Sequence, residues 1–352
     1  MLKHRSKTYI AVPPGESIKE QLEYRGMTQK EFAARMDMSE KHICHLLNGD
    51  VQLTPETAVK LEMVLGIDAE FWNRLESLYR EEIIKVNIEN SMEEDVKLAK
   101  RFPYKEMEDL GWVPATTKIS EKVINLRKFF EVIDLSLLEN ERISNIEGRM
   151  PDLSDKRDLL FMVWIQEARY KARDIETKPI NIKKLGNRLP EIKKLTLLQP
   201  DSFISEIKGI LAECGIALVF IPPLKEAGFE NKSFLDGNKI VMAFNTGEYD
   251  AAKFWADMFK EFAHMFLGNI GKLETISADA KHEADIFAGN LLIENVTFDS
   301  FKMERDFSEQ SVLKFAREIG IAPSIVVGRM QSEGLIESGD LDRLKTKFDL
   351  AG

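Results

Sequence analysis

Apolar residues in the first quarter of the chain return every three or four positions. From Pro13-Pro14-Gly15-Glu16 onward the series Ile18, Leu22, Phe32, Met36, Ile43, Leu46, Leu47, Val59, Leu61, Leu65 and Phe71 has the spacing of short helices that each bury one face. Polar joints punctuate it. Thr28-Gln29-Lys30-Glu31 is a capping-box pattern, with Thr28 accepting from the Glu31 backbone and Glu31 reaching back. The helix it starts runs through Ala33 and Ala34 to Met36. Asp37-Met38 then make a short turn, and Ser39 caps a second helix that ends at Asn48-Gly49. Two helices joined in this way, with small residues where they meet, predict a helix-turn-helix.

Ile43, Leu46 and Leu47 give the second helix its buried stripe, so Ser39, Glu40, Lys41 and His45 are expected on its outer side. Its N-terminal part is where a recognition helix meets base edges in a major groove. Gln29, at the start of the preceding helix, is placed to hold a phosphate or a base edge. A solvated polar face on an all-helical module is the alternative reading of these residues. The whole segment from Val12 to Tyr79, with PPGE, GMTQKEFA, LLNG, LTPETA and FWNRLE in order, resembles the HigA-type antitoxins of the Xre-like helix-turn-helix class. The resemblance implies a dimeric repressor on a palindromic operator that in many members neutralises a HigB-like toxin.

From about Glu81 to Pro200 the pattern is one of charged helical segments poor in glycine. Ile119 to Leu138 and Ser154 to Thr177 read as long amphipathic helices whose buried faces use Phe129, Phe130, Ile133, Phe161, Trp164 and Ile165. No chemistry is assigned to this scaffold.

The period then changes. Gly215 to Pro222 is short, apolar and bounded by Gly and Pro-Pro, and reads as a strand; Lys239 to Phe244 reads as another. Asp236-Gly237-Asn238 supplies turn chemistry, so Lys232 to Leu235 can pair with the second strand as a hairpin. Helical spacing resumes over Ala252 to Leu267 and stops at Gly268-Asn269. This helix carries Lys260-Glu261-Phe262-Ala263-His264, one side chain short of HExxH, the pattern that sets two histidines and a glutamate on a catalytic zinc. The order of strands, an xExxH helix and then Glu283-Ala284-Asp285-Ile286-Phe287-Ala288 resembles the ImmA/IrrE zinc metallopeptidases over about Leu198 to Met330. Carried over, the resemblance puts Lys260 at the first metal ligand, Glu261 at the general base, His264 at the second ligand and Glu283 at the third.

The lysine changes that picture. A ligand must offer a lone pair, and an amine of pKa about 10.4 releases its proton at pH 7 only at a cost of about 4 to 5 kcal/mol. The remnant pair His264 and Glu283 would hold zinc far more weakly than three ligands, and Glu261 would have no polarised water to deprotonate. No cofactor is expected, zinc remaining a doubtful possibility. Lys260 is expected to fill part of the metal's volume and pair with Glu283 or Glu261, or else to point to solvent. His282 is an alternative ligand, although adjacent helical residues point about 100° apart. His264 alone would read as a satisfied core histidine.

Near the C-terminus, Phe315 to Met330 reads as helix, Gly320 turn and a second helix started by Pro323. It is taken as part of the peptidase-like fold, and the charged tail beyond Ser338 is uninformative. Composition narrows the function further. The 352 residues carry a net charge of -10, which argues against indiscriminate coating of nucleic acid. Residues 1 to 80 hold 11 Lys and Arg against 12 Asp and Glu, close to neutral. Cys44 and Cys214 are too far apart in sequence for a metal motif and suit a reducing compartment. No apolar run of about 18 residues or secretory signal is evident, so the cytoplasm is the expected location, without membrane partners.

The expected fold is therefore mainly α with a small α+β domain. It comprises a helix-turn-helix bundle (1–82), a helical connector (83–198), an ImmA/IrrE-like domain with a short antiparallel sheet (199–335) and a tail (336–352). The expected function is a DNA-binding repressor resembling a HigA antitoxin, homodimeric on operator DNA, partnered by a HigB-like toxin and carrying a catalytically degenerate domain for sensing or partner binding. A zinc metallopeptidase that cleaves a repressor or toxin is the alternative.

Overall fold

The computed structural model describes residues 4–6, 9–90, 92–140, 151–225, 228, 231–270 and 278–350. The chain divides into two compact units, Met1–Lys97 and Leu98–Gly352.

The first unit is helical: α1 (Pro14–Tyr24), α2 (Gln29–Arg35), α3 (Glu40–Leu47), α4 (Pro55–Leu65) and α5 (Ala69–Asn90), with α6 (Met92–Ala99) carrying the chain across the boundary between units. Thr28 Oγ1 accepts from Glu31 N–H at 3.2 Å, so the expected cap forms. The return half of the capping box does not. Glu31 instead binds Arg35 one turn on, at 2.7 Å, because an ion pair at i,i+4 competes for the same carboxylate. The turn after α2 closes with Asp37 in the left-handed region (φ 51) and Met38 N–H donating to Ala33 O, an αL stop of the kind that glycine usually provides. Ser39 then caps α3 by accepting from His42 N–H.

Ile18, Leu22, Phe32, Met36, Ile43, Leu46, Leu47, Leu61 and Leu65 are all buried in one core, as their spacing predicts. Val59 and Phe71 are not: they are 45% and 48% exposed. The inner face of α4 is taken by Ala58, Leu61 and Leu65, and the inner face of α5 by Trp72, fully buried with its indole N–H on Ile67 O. Each expected residue sits one position off the stripe. Gly15 explains the PPGE opening, since a Cβ there would lie 2.1 Å from the Leu47 carbonyl oxygen. The expected boundary at 82 falls inside α5, which runs on to Asn90.

The second unit continues with α7 (Tyr104–Asp109), α8 (Ile119–Phe130), α9 (Lys156–Arg173), α10 (Ile182–Leu195) and α11 (Pro200–Ala212). The expected helix from Ile119 to Leu138 stops early. Glu131 adopts a left-handed conformation after Phe130, a 3-10 turn at Leu135–Glu139 buries Leu135 and Leu138, and Ile133 is left 84% exposed. Phe129, Phe130 and Trp164 are buried as expected.

The sheet follows: β1 (Ile216–Ile221), β2 (Lys232–Asp236) and β3 (Lys239–Asn245), in spatial order β1-β3-β2. The β2–β3 hairpin is antiparallel with Asp236 opposite Lys239, and Gly237 leads its two-residue loop with φ 59. The hairpin is the short antiparallel pairing expected, and β1 joins β3 in parallel, Ile216 opposite Ile240. Every β1 residue is buried, because α9 packs on β1 and β3 while Ile216, Leu218 and Phe220 enter the main core.

β4 (Gly247–Asp250) leads into α12 (Ala251–Phe266), which Asp250 caps through the N–H groups of Ala252 and Lys253. Then come α13 (Ala278–Leu292), α14 (Asn295–Met303), α15 (Glu309–Ile319), α16 (Pro323–Ser332) and β5 (Lys347–Leu350). The helix-Gly-helix reading of the C-terminal segment corresponds to α15, Gly320 at φ 71 and α16. The expected tail is a structural element. β5 pairs with β4, and Phe348 is buried between Phe203 and Phe254. Charged neighbours masked this two-residue alternation, Phe348 and Leu350 in, Lys347 and Asp349 out. The segment expected as connector, from Leu98 on, and the one expected as peptidase-like domain share one compact body.

Candidate functional site

In the first unit the relevant surface is the outer face of α3. Gln29, Ser39, Glu40 and Lys41 are exposed. Ser39 is bound into the helix cap, where one lone pair of its hydroxyl is taken by His42 N–H. His45 is half-buried and turned to its own chain, with Nδ1 3.2 Å from Asp50 Oδ2. Helical spacing therefore substitutes other residues for it. His42, Cys44 and Asn48 are exposed alongside Lys41, and Lys41, Cys44 and Asn48 stand at i, i+3 and i+7 on one stripe. Cys44 and Asn48 were legible from that period once Ile43, Leu46 and Leu47 had been set inward.

In the second unit, the KEFAH segment lies on the last two turns of α12, the helix around which the core is built. A buried amide holds the hairpin to this helix. Asn231 Oδ1 accepts from Asn245 N–H and from the Tyr249 hydroxyl, while its Nδ2 donates to Asp257. The arrangement puts Ser233 of β2 beside Glu261. Glu261 is 6% exposed, and burial pushes its carboxyl up to about 7, only partly offset by Ser233 and by the Lys232 and Lys260 ammonium groups. The Ser233 hydroxyl is near enough to act on that carboxyl but makes no hydrogen bond of normal geometry.

His264, 7% exposed, is held neutral for the same reason. Burial first, then the Lys232 and Lys260 cations, lower its pKa. Asn269 Nδ2 lies 3.3 Å from its Nδ1. This is the environment of a partnered core histidine.

Lys260 Nζ forms an ion pair with Asp285 Oδ1 at 2.9 Å. The expected partners were Glu283 or Glu261. Glu283 is exposed and lines a groove of about 400 Å³ with Asp279, His282, Asn290 and apolar neighbours, whereas Lys260 and Asp285 line a different one of about 450 Å³ between α12, α13 and α16. Positions 283 and 285 are some 200° apart around a helix, so only one can face Lys260. His282 sits with Glu283 in the first groove and is no substitute ligand beside His264.

The residues present do not fit a zinc site. An ammonium paired with a carboxylate stands where the first ligand would be, and the third donor faces elsewhere. Among the described residues no group of three or more His, Cys, Asp or Glu side chains is placed to hold a metal ion. None of their helices is long and apolar enough to cross a membrane.

Comparison with known proteins addresses the first of the two surfaces. A family model described as Helix-turn-helix matches residues 18–72, from the middle of α1 to Trp72. The chain is also similar to the Uncharacterized HTH-type transcriptional regulator YddM of Escherichia coli (strain K12), with 35% identity over 66 residues that make up 19% of this chain and 70% of the relative. The matched region contains α2, the Asp37 turn and α3 with its exposed stripe. The chain belongs to the helix-turn-helix family of transcriptional regulators.

Proposed function

We propose that this protein is a HigA-like repressor that reads a two-fold-symmetric operator as a homodimer, with α3 in the major groove and Lys41, His42, Cys44 and Asn48 facing the bases. Gln29 at the start of α2 would take a backbone phosphate beside them. The observation that carries this reading is the exposed polar stripe of α3 on a helix whose other side is locked into the core by Ile43, Leu46 and Leu47. Exposed apolar side chains support the dimer. Val59 and Met63 lie one turn apart on α4, and Phe71 and Leu78 lie two turns apart on α5, all 45% exposed or more, which suits a surface covered by a second copy.

A HigB-like toxin is the partner this reading implies, and the second unit serves as a degenerate peptidase-like module for sensing or partner binding in the cytoplasm. The alternative of hydrolysis at a zinc centre has Glu261 and His264 in its favour, but among the described residues no third donor accompanies them. Selection of full-length protein on random duplexes tests the DNA reading. Enrichment of a palindrome with half-sites about 34 Å apart supports it, and no enrichment refutes it. Met63→Glu/Phe71→Glu should give a monomer by sedimentation and flatten that enrichment.

A further inference from the structure

Residues 178 to 194 hold six basic side chains and one acidic in a chain of net charge -10. Most of them ride on α10, whose Leu185, Ile192 and Leu195 are buried in the core of the second unit. On the opposite side Lys183, Asn187, Pro190 and Lys194 are all exposed. At 100° per residue these four fall within about 60° of one another, and the two lysines are about 16 Å apart along the axis. One shoulder of the stripe is neutralised, with Lys184 on Glu213 at 2.8 Å and Arg188 on Glu191 at 2.9 Å. Lys183 and Lys194 have no ion-pair partner among the described residues. The helix thus presents a flat line of two free cations with an amide between them.

We infer that this face of α10 binds the phosphate backbone of duplex DNA, giving the second unit a sequence-independent contact that adds to the reading by α3. It rests on the helix-turn-helix reading only for the choice of DNA among polyanions. Three features favour that choice. Lysines are point charges suited to phosphates, and their separation along a straight, exposed line matches a run of backbone charges better than a single carboxylate. Apart from the compact ring of Pro190 the stripe has no apolar side chain to insert into a lipid surface, since Leu185, Ile192 and Leu195 are turned inward. The first unit is near neutral in charge, 11 basic against 12 acidic residues over 1 to 80, so an added pair of phosphate contacts would weigh heavily in its salt dependence.

The test uses full-length protein and two duplexes of about 40 base pairs, one selected as above and one random, titrated between about 50 and 200 mM salt. Lys183→Gln/Lys194→Gln removes two cations at exposed helical positions without changing side-chain length much. Loss of two phosphate contacts should lower the slope of log affinity against log salt by about 1.8 on both duplexes, so the wild type loses about tenfold more affinity across that range than the variant. Lys118→Gln/Lys314→Gln makes the same net charge change at ammonium groups paired with Glu121 and Glu318 and should leave the slope alone.

A slope unchanged in the α10 variant overturns the inference, and so does a control variant that lowers it equally. Preference for the selected duplex with an unchanged slope leaves the operator reading standing and removes this one. A lowered slope without any duplex preference does the reverse. Leu197 and Leu198, just past α10, are 55% and 39% exposed, so phosphatidylserine vesicles form a further arm. Binding to vesicles that needs Lys183 and Lys194 while DNA affinity does not would overturn the proposal in favour of a membrane surface.

Discussion

Lys260 Nζ lies 2.9 Å from Asp285 Oδ1, so an ammonium ties α12 to α13 at the position where a metal-binding histidine would stand in HExxH. The side chains are 28% and 52% exposed, and such a pair is worth no more than about 1 kcal/mol. Its significance is geometric. It shows which side of α13 faces α12, and Glu283 is on the other.

Restoring the motif should therefore not restore the metal. Lys260→His completes HExxH, yet leaves Glu283 in a separate groove. After incubation with zinc and dialysis, the variant is expected to retain well under one zinc per chain. Stoichiometric zinc would show that α13 can turn Glu283 toward His264.

Glu261 predicts a pH dependence of stability. Its folded pKa, about 7, lies above the 4.5 of an ordinary glutamate. The folded state therefore holds its proton more tightly, and the stabilisation is fully present below about pH 4.5 and is lost as pH rises toward 7. Glu261→Gln keeps the neutral form throughout. Relative to wild type, the variant should gain stability between about pH 5 and pH 8, by on the order of 3 kcal/mol at most. The opposite tendency of His264, whose lowered pKa removes stability as pH falls, is common to both proteins and drops out of the difference. Urea unfolding at the two pH values measures it, and a pH-independent difference would contradict the buried environment assigned to Glu261.

Lys41→Ala truncates an exposed side chain at the N-terminal end of α3 and touches no core residue. Affinity for the selected duplex should fall by about 1–3 kcal/mol, roughly fivefold to 150-fold. The thermal midpoint should stay within a degree or two, since exposed substitutions alter stability by about 0.5 kcal/mol. Titration of the duplex by fluorescence anisotropy reads the first, and calorimetry the second. Unchanged affinity would count against α3 as the reading helix.

Gly15→Ala probes the close approach of α1 to α3. The new Cβ would meet the Leu47 carbonyl oxygen at 2.1 Å, a backbone atom with no rotamer to escape into. Destabilisation of the first unit by about 1–3 kcal/mol is expected, read as a lower urea midpoint with DNA affinity reduced in step. A wild-type midpoint would mean that α1 and α3 are further apart than described.

Much of this molecule was legible in the chain because its signals are local. Thr28 and Ser39 as caps, Gly320 as a stop, Pro323 as a start and Asp236-Gly237-Asn238 as a turn each depend on backbone groups within a few residues. The buried stripe of α3, and hence its exposed one, followed from a period of 3.6. Other positions were decided by competition over distance. Trp72 displaced Phe71 from the core, Ala58 displaced Val59, and the left-handed Glu131 turned Ile133 out to solvent. A pattern of apolar residues names several candidates for an inner face, and only the helices packed against it choose among them.

The same distinction separates the two surfaces of interest. The chain by itself determined the helix-turn-helix, since cap, turn and stripe all lie within some twenty consecutive residues. It also made the first residue of the KEFAH pentapeptide a poor metal ligand at neutral pH, a matter of amine chemistry alone. Whether Glu283 or Asp285 meets that amine was decided only by the tertiary structure. Two carboxylates two residues apart lie on opposite sides of a helix, and the rotation of α13 against α12 is set by the packing of Ala284, Ala288 and Leu292 into the core.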